Sequence, residues 1–231
     1  MPGKRTTFLD AAARGLIVKV CCIASIDEAE MALDAGADAL GLVSAMPSGP
    51  GVIEDADIAR IAEWIGSRAA TVLLTSRLTA DGVDDQIRHA HPAVLQLVDA
   101  VPDAEITAIR TRHPDIVMMP VVHVRSEDSI GEAVRLAAMT DAILLDSGNP
   151  AATVKELGGT GRVHDWQVSR AICQAVDVPV LLAGGLSADN VAEAVRTVRP
   201  AGVDVCSGVR RDGRLHRVLL AAFVAAARNA F

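Results

Sequence analysis

Leu144-Leu145-Asp146-Ser147, then Gly158-Gly159-Thr160-Gly161, then Asp165-Trp166, is the stretch on which the fold turns. An apolar run ends on an acid, a glycine-bracketed loop follows, and a helical pattern begins at Trp166. This is one strand-loop-helix unit, with its ionisable residue at the end of the strand. The same unit recurs on both sides of it. Apolar runs occupy residues 16–23, 39–43, 70–74, 94–97, 116–122, 142–145, 178–183 and 203–206. Helical patterns follow them at 27–35, 55–65, 80–89, 104–112, 126–138, 166–176, 188–198 and 215–227.

Strands that are apolar almost throughout are buried on both faces, as in a parallel sheet covered by helices. Strict alternation with helices implies right-handed βαβ units. Eight such units close into a (βα)8 TIM barrel; a doubly wound open sheet is the competing α/β architecture, and the count of eight and the length of 231 residues favour the barrel. The expected organisation is a single barrel domain over residues 17–231, preceded by an N-terminal extension over residues 1–16 that is expected to cover the barrel floor with a short helix. Reactive groups in a barrel of this kind stand where the strands end.

Composition narrows the chemistry. A hydrophobic share of 51% supplies a large core, while a net charge of -7, with an isoelectric point near 5.3, disfavours a phosphate-backbone surface. Aromatic residues make up 2% of the chain and Tyr is absent, so base-stacking platforms are scarce. A small-molecule partner is expected, with neither nucleic acid nor membrane, in a monomer or homodimer. The N-terminal residues carry Asp10 and Arg14 where a signal peptide needs an apolar core, and no stretch reaches spanning length, so a cytoplasmic location is expected. Cys21, Cys22, Cys173 and Cys206 show neither CxxC spacing nor disulfide-scaffold density. His89 and His91 begin no HExxH pattern, and no metal is expected.

The strand ends carry the most specific signals. They read Val18-Lys19-Val20-Cys21-Cys22, Leu144-Leu145-Asp146-Ser147, Leu182-Ala183-Gly184-Gly185-Leu186 with Asn190-Val191, and Gly202-Val203-Asp204-Val205-Cys206-Ser207-Gly208-Val209. With Gly158 to Gly161 and Asp165-Trp166, these blocks resemble, in order and spacing, the phosphoribosylanthranilate isomerase family, the (βα)8 enzymes of tryptophan biosynthesis. The resemblance covers nearly the whole chain after residue 16. It implies an aldose-ketose isomerase, an intramolecular oxidoreductase acting on a sugar phosphate by Amadori rearrangement without a cofactor.

Within that resemblance Asp146 matches the general acid and Cys21 the general base. Read alone, Asp146 is also a turn-capping residue and Cys21 a small buried hydrophobe. Gly184, Gly185, Ser207 and Gly208 match the phosphate-binding loops, where backbone amides approach closely and helix N-termini add positive potential. Asp204 matches a residue near the aryl-amine end of the substrate. Gly159 and Gly161 belong to a glycine loop expected to cover the acid. Asp146 must hold a proton when substrate binds, which calls for desolvation or an adjacent anion.

Several positions depart from the family pattern. Pro50 stands where the family carries the Arg that holds the anthranilate carboxylate, and Val98 where it carries His. Cys22 replaces a Gly, Cys206 a Ser and Arg210 a Glu, and His164 takes the place of the aromatic before Asp-Trp. Cys22 is expected to pack on the opposite side of the strand from Cys21. Arg77, Arg125, Arg162 and Arg210 are the candidates to replace the lost carboxylate anchor. Two further readings stay open at this point: an Amadori-type isomerase for a different N-substituted phosphoribosylamine, and a non-catalytic phosphosugar-binding barrel.

Overall fold

The computed structural model describes residues 4–47, 49–148 and 164–231. Eight parallel strands, β1 (Ile17–Val20), β2 (Ala39–Val43), β3 (Ala70–Thr75), β4 (Val94–Leu97), β5 (Val117–His123), β6 (Ile143–Asp146), β7 (Val180–Leu182) and β8 (Gly202–Val205), form a closed barrel in sequence order. Closure is made by β8 on β1, with Lys19 opposite Asp204 and Val20 opposite Val205. The expected (βα)8 architecture is therefore the observed one.

A first helix, α1 (Lys4–Arg14), precedes β1, and Phe8 from it is buried with the barrel interior. The crossover helices are α2 (Ile26–Asp34), α3 (Asp55–Ile65), α4 (Ala80–Ala90), α5 (Asp103–Arg112), α6 (Asp128–Ala137), α7 (Trp166–Ala175), α8 (Val191–Val198) and α9 (Arg217–Arg228). Their starts follow local chemistry. The side chains of Ser25, Thr79 and Asp165 accept hydrogen bonds from the first-turn amides of α2, α4 and α7, satisfying donors that the helix itself leaves without partners.

Strand periodicity sorts the core into two layers. One alternate set, including Val18, Val20, Leu40 and Leu42, packs outward against helix residues such as Ile61 and Phe223. The other, including Ile17, Val72, Val117 and Leu144, fills the barrel. The inward set turns polar toward the C-terminal ends of the strands, and this places the candidate chemistry.

Some boundaries differ from the sequence expectation. Strand β1 ends at Val20 although the apolar run continues to Ile23, and Cys22 with φ 64° leaves the extended path. Helix α8 begins at Val191 rather than at residue 188, since the intervening residues form a turn in which Asn190 Oδ1 accepts from the Ser187 amide. A two-stranded hairpin, β9 (Arg210–Arg211) with β10 (Arg214–Leu215), was not expected from the apolar pattern. Among the described residues no helix is long and apolar enough to cross a membrane.

Among the described residues, cavities open at both ends of the barrel. One of about 730 Å³ opens at the N-terminal ends of the strands, beside Phe8, Ala11, Ile17, Ala70 and Ala93. The other, of about 510 Å³, is at the C-terminal ends, lined by Arg125, Ser126, Glu127, Ser147, His164 and Asp165. Ser147, next to the strand-end acid Asp146, lines the second.

Candidate active site

Lys19 and Asp204 face one another across the closing seam of the barrel. Their side chains meet at 2.8 Å, and the Lys19 side chain is fully buried. Burial works against the ammonium, but the Asp204 carboxylate outweighs it, with smaller help from Cys21 and Cys22, and holds Lys19 charged above its ordinary range. The site therefore contains a fixed positive charge that the sequence reading did not single out. A lysine inside an apolar strand looks like an interruption, and its partner is 185 positions away.

The pair is a severe constraint on this fold. Removing one member of a buried ion pair leaves the other charged and unpartnered, at a cost of about 3–5 kcal/mol. Lys19→Met is expected to lower unfolding stability by that amount in urea denaturation. Lys19→Met combined with Asp204→Leu is expected to recover most of the loss, because neither charge is then stranded.

Cys21 follows β1 directly and joins the interior cluster. Its amide donates to the Val205 carbonyl at 2.8 Å, extending the seam by one bond. Gly41 on β2 makes room for its thiol: a Cβ there would lie 3.0 Å from Cys21 Sγ. The ammonium of Lys19 supplies positive potential beside this thiol.

Asp146 closes β6 and is 9% exposed. The Ser147 amide donates to its Oδ1 at 2.7 Å. Burial is the main cause that pushes the Asp146 carboxyl up to about 6; Asp204 adds to the rise, while the Ser147 hydrogen bonds and Lys19 oppose it. Desolvation is thus the dominant cause, one of the two expected from sequence, and a carboxyl at this value is protonated often enough near neutrality to donate.

His123 stands beside this acid, and His164 lines a cavity with the adjacent Ser147. His123, opposite Asp146 in the β5–β6 register, faces inward and is 6% exposed. Burial lowers its pKa, against the Val98 backbone. It is the residue immediately after the fifth apolar run, so the strand-end rule was sufficient to find it. His164 places Nε2 2.8 Å from Ser169 Oγ, and burial pulls it down to about 4 despite Asp165. Burial thus disfavours the charged form of both rings.

The last two strands end in loops that pack on one another. Gly184 and Gly185 follow β7 with φ of 83° and 64°. Ser207 and Gly208 sit in a short 3-10 turn, Ser207–Val209, after β8. A Cβ on Gly208 would lie 2.0 Å from the Leu186 carbonyl oxygen, so the two loops meet backbone to backbone. Asn190 ties the first loop by accepting from Ser187 and donating to the Gly185 carbonyl at 3.0 Å. Gly208→Ala is expected to cost about 1–3 kcal/mol of stability, read by chemical denaturation, since backbone rather than a flexible side chain blocks the added methyl.

Asp204 lies within β8, as expected, and is engaged there by Lys19. Other expected residues are placed differently. Gly159, Gly161 and Arg162 lie outside the described residues. Arg210 is unsuitable as a carboxylate anchor because Glu28 and the carbonyls of Cys21 and Cys22 already engage it. Arg77 and Arg125 are exposed at the ends of β3 and β5. Cys22 does not obey strand alternation: with φ 64° it stands in the left-handed region where glycine is favoured, and it joins the same interior cluster as Cys21. Pro50 is exposed, and its carbonyl lies 3.5 Å from Cys22 Sγ; Val98 is buried.

An inward acid and thiol at strand ends, a buried cation beneath them and two interlocked glycine loops define a (βα)8 barrel with an enzyme-like site at the C-terminal ends of its strands. Residues 18–226 match the family model of N-(5'-phosphoribosyl)anthranilate (PRA) isomerase, and the chain belongs to that family. The N-(5'-phosphoribosyl)anthranilate isomerase of Haloferax volcanii is 40% identical over 221 residues, covering 92% of this chain and 93% of the relative. The phosphoribosyl anthranilate isomerase of Thermotoga maritima superposes with a TM-score of 0.80 at 26% identity, covering 93% of this chain and 99% of that one. A further solved phosphoribosyl anthranilate isomerase, in complex with reduced 1-(o-carboxyphenylamino)-1-deoxyribulose 5-phosphate, has a TM-score of 0.78 at 25% identity, with coverage of 93% and 99%.

Proposed function

We propose that this protein converts N-(5'-phosphoribosyl)anthranilate to 1-(o-carboxyphenylamino)-1-deoxyribulose 5-phosphate, a step of tryptophan biosynthesis, with Asp146 as general acid and Cys21 as general base. The observation that carries this reading is Asp146: a strand-end carboxyl whose proton is retained to about 6 chiefly by burial. Family membership and the phosphosugar analogue held by a structural relative support the substrate.

The chemistry follows from these groups. Asp146 protonates the furanose ring oxygen, the bond from that oxygen to C1 breaks, and the nitrogen lone pair forms a Schiff base. Cys21 thiolate takes the proton from C2, and the electrons of that bond move to make the enolamine. Tautomerisation, with a proton delivered to C1, gives the aminoketose. Hydrogen is only relocated within one molecule, so no external electron carrier enters the balance. Each positioned acid or base contributes roughly 10²–10⁴-fold.

The phosphate is assigned to the amides around Gly184, Gly185, Ser207 and Gly208, on the interlocked loops. The anthranilate carboxylate is assigned to Arg125, an exposed strand-end arginine on the wall of the cavity that also holds Ser147 and His164. Four free thiols accord with a cytoplasmic setting. Loss of the fluorescence of N-(5'-phosphoribosyl)anthranilate in proportion to added enzyme tests the activity. Absence of turnover beside an active control isomerase overturns it.

A further inference from the structure

A second cysteine pair stands beside the proposed base. Cys22 Sγ and Cys206 Sγ are 2.7 Å apart, both as free thiols, on the two chain segments that close the barrel. The separation is within about 1 Å of the 2.0 Å of a disulfide bond, a gap that a small side-chain adjustment closes. Cys22 is buried and Cys206 partly exposed, so one sulfur is open to a small oxidant while the other waits behind it.

We propose that Cys22 and Cys206 are a redox modification site whose reversible disulfide staples the closing seam between the first and last strands. The residue types are those by which this chain departs from the family pattern, a Gly and a Ser having become two thiols in contact. Their electrostatics suit sequential roles. The hydrogen bond with Cys22 and the charges of Arg210 and Lys19 favour the thiolate of Cys206 over the opposing effects of burial and Asp204. Hydrogen bonds to Cys206 and Cys21, with burial, keep Cys22 protonated.

With hydrogen peroxide as oxidant, the Cys206 thiolate attacks one peroxide oxygen, the O–O bond breaks, and a sulfenic acid and hydroxide form. The Cys22 sulfur, losing its proton to that hydroxide, attacks the sulfenic sulfur and expels a second hydroxide, which leaves as water once protonated. Two thiols and one peroxide yield one disulfide and two waters. A dithiol reductant reverses the change by exchange. The bond would join residues 184 positions apart, and a cross-link closing so long a loop stabilises mainly by restricting the unfolded chain.

The test treats the full chain with hydrogen peroxide, then maps peptides by mass and records thermal unfolding before and after dithiothreitol. A Cys22–Cys206 peptide lacking two hydrogens, with Tm raised by about 5–15 °C, is expected, both reversed by the reductant. Cys22→Gly and Cys206→Ser are expected to show neither change; glycine suits the left-handed backbone at position 22, so the first of these variants folds. Four alkylatable thiols after peroxide, a cross-link through Cys21 instead, or a cross-link with no rise in Tm each overturn the proposal. None of these readouts depends on which sugar phosphate the barrel converts.

Discussion

Asp146→Asn is expected to lower kcat/KM for N-(5'-phosphoribosyl)anthranilate by roughly 10²–10⁴-fold while making the protein more stable at neutral pH. The loss follows from removing the proton donor: an amide keeps the shape and accepts from the Ser147 amide but does not protonate a ring oxygen. The gain follows from linkage. The folded-state pKa of Asp146, about 6, lies above the ordinary carboxylate value of 3.8. Ionisation is thus harder in the folded chain than in the unfolded one, and the native state is destabilised at every pH above about 6.

As pH falls from about 6 toward about 4, wild-type stability therefore rises on account of this group, and then levels. Two pKa units correspond to about 2–3 kcal/mol, and the asparagine is expected to recover about 1–2 kcal/mol of it at pH 7.5. Steady-state kinetics and urea denaturation on the same preparation check both halves. A merely structural Asp146 would lose activity and stability together.

Cys21→Ala is expected to cost a further independent proton transfer, again roughly 10²–10⁴-fold in kcat, with KM little changed. The thiol is small, and its space is bounded by Gly41, so the cavity left by alanine is slight. The expected stability change is about 1 kcal/mol or less. Cys21→Ser, which keeps size and polarity but not a readily ionised group, is expected to be nearly as inactive as the alanine variant. Activity within threefold of wild type in both would remove Cys21 from the mechanism. Single-turnover measurement separates this loss from any change in product release.

The barrel was legible because its strands are buried on both faces and so read as apolar runs. Residues 39–43, 55–65 and 94–97 were placed without error. The first strand was read too long because Cys21, Cys22 and Ile23 continue the apolar run; a single backbone angle at Cys22 ends it, and hydropathy is blind to that. Alternation then put Cys22 on the wrong side. The strand-end positions of Asp146 and Cys21 were legible because an apolar run leads into each.

What escaped the sequence depends on closure. Lys19 becomes informative only when β8 brings Asp204 beside it, a pairing across almost the whole chain. The contact of Cys22 with Cys206 and the capture of Arg210 by Glu28 have the same origin. His164 carries its meaning through a single hydrogen bond and its burial, neither of which a pattern of residues displays.

The most direct test is the titration of the Asp146 carboxyl itself, as the infrared difference spectrum of wild type minus Asp146→Asn across pH. A buried acid poised to donate gives a protonated carbonyl band, absent from the variant, that disappears with a midpoint near 6. An Asp146 that remains ionised down to about pH 4, as an ordinary solvated carboxylate does, would contradict its assignment as the proton donor.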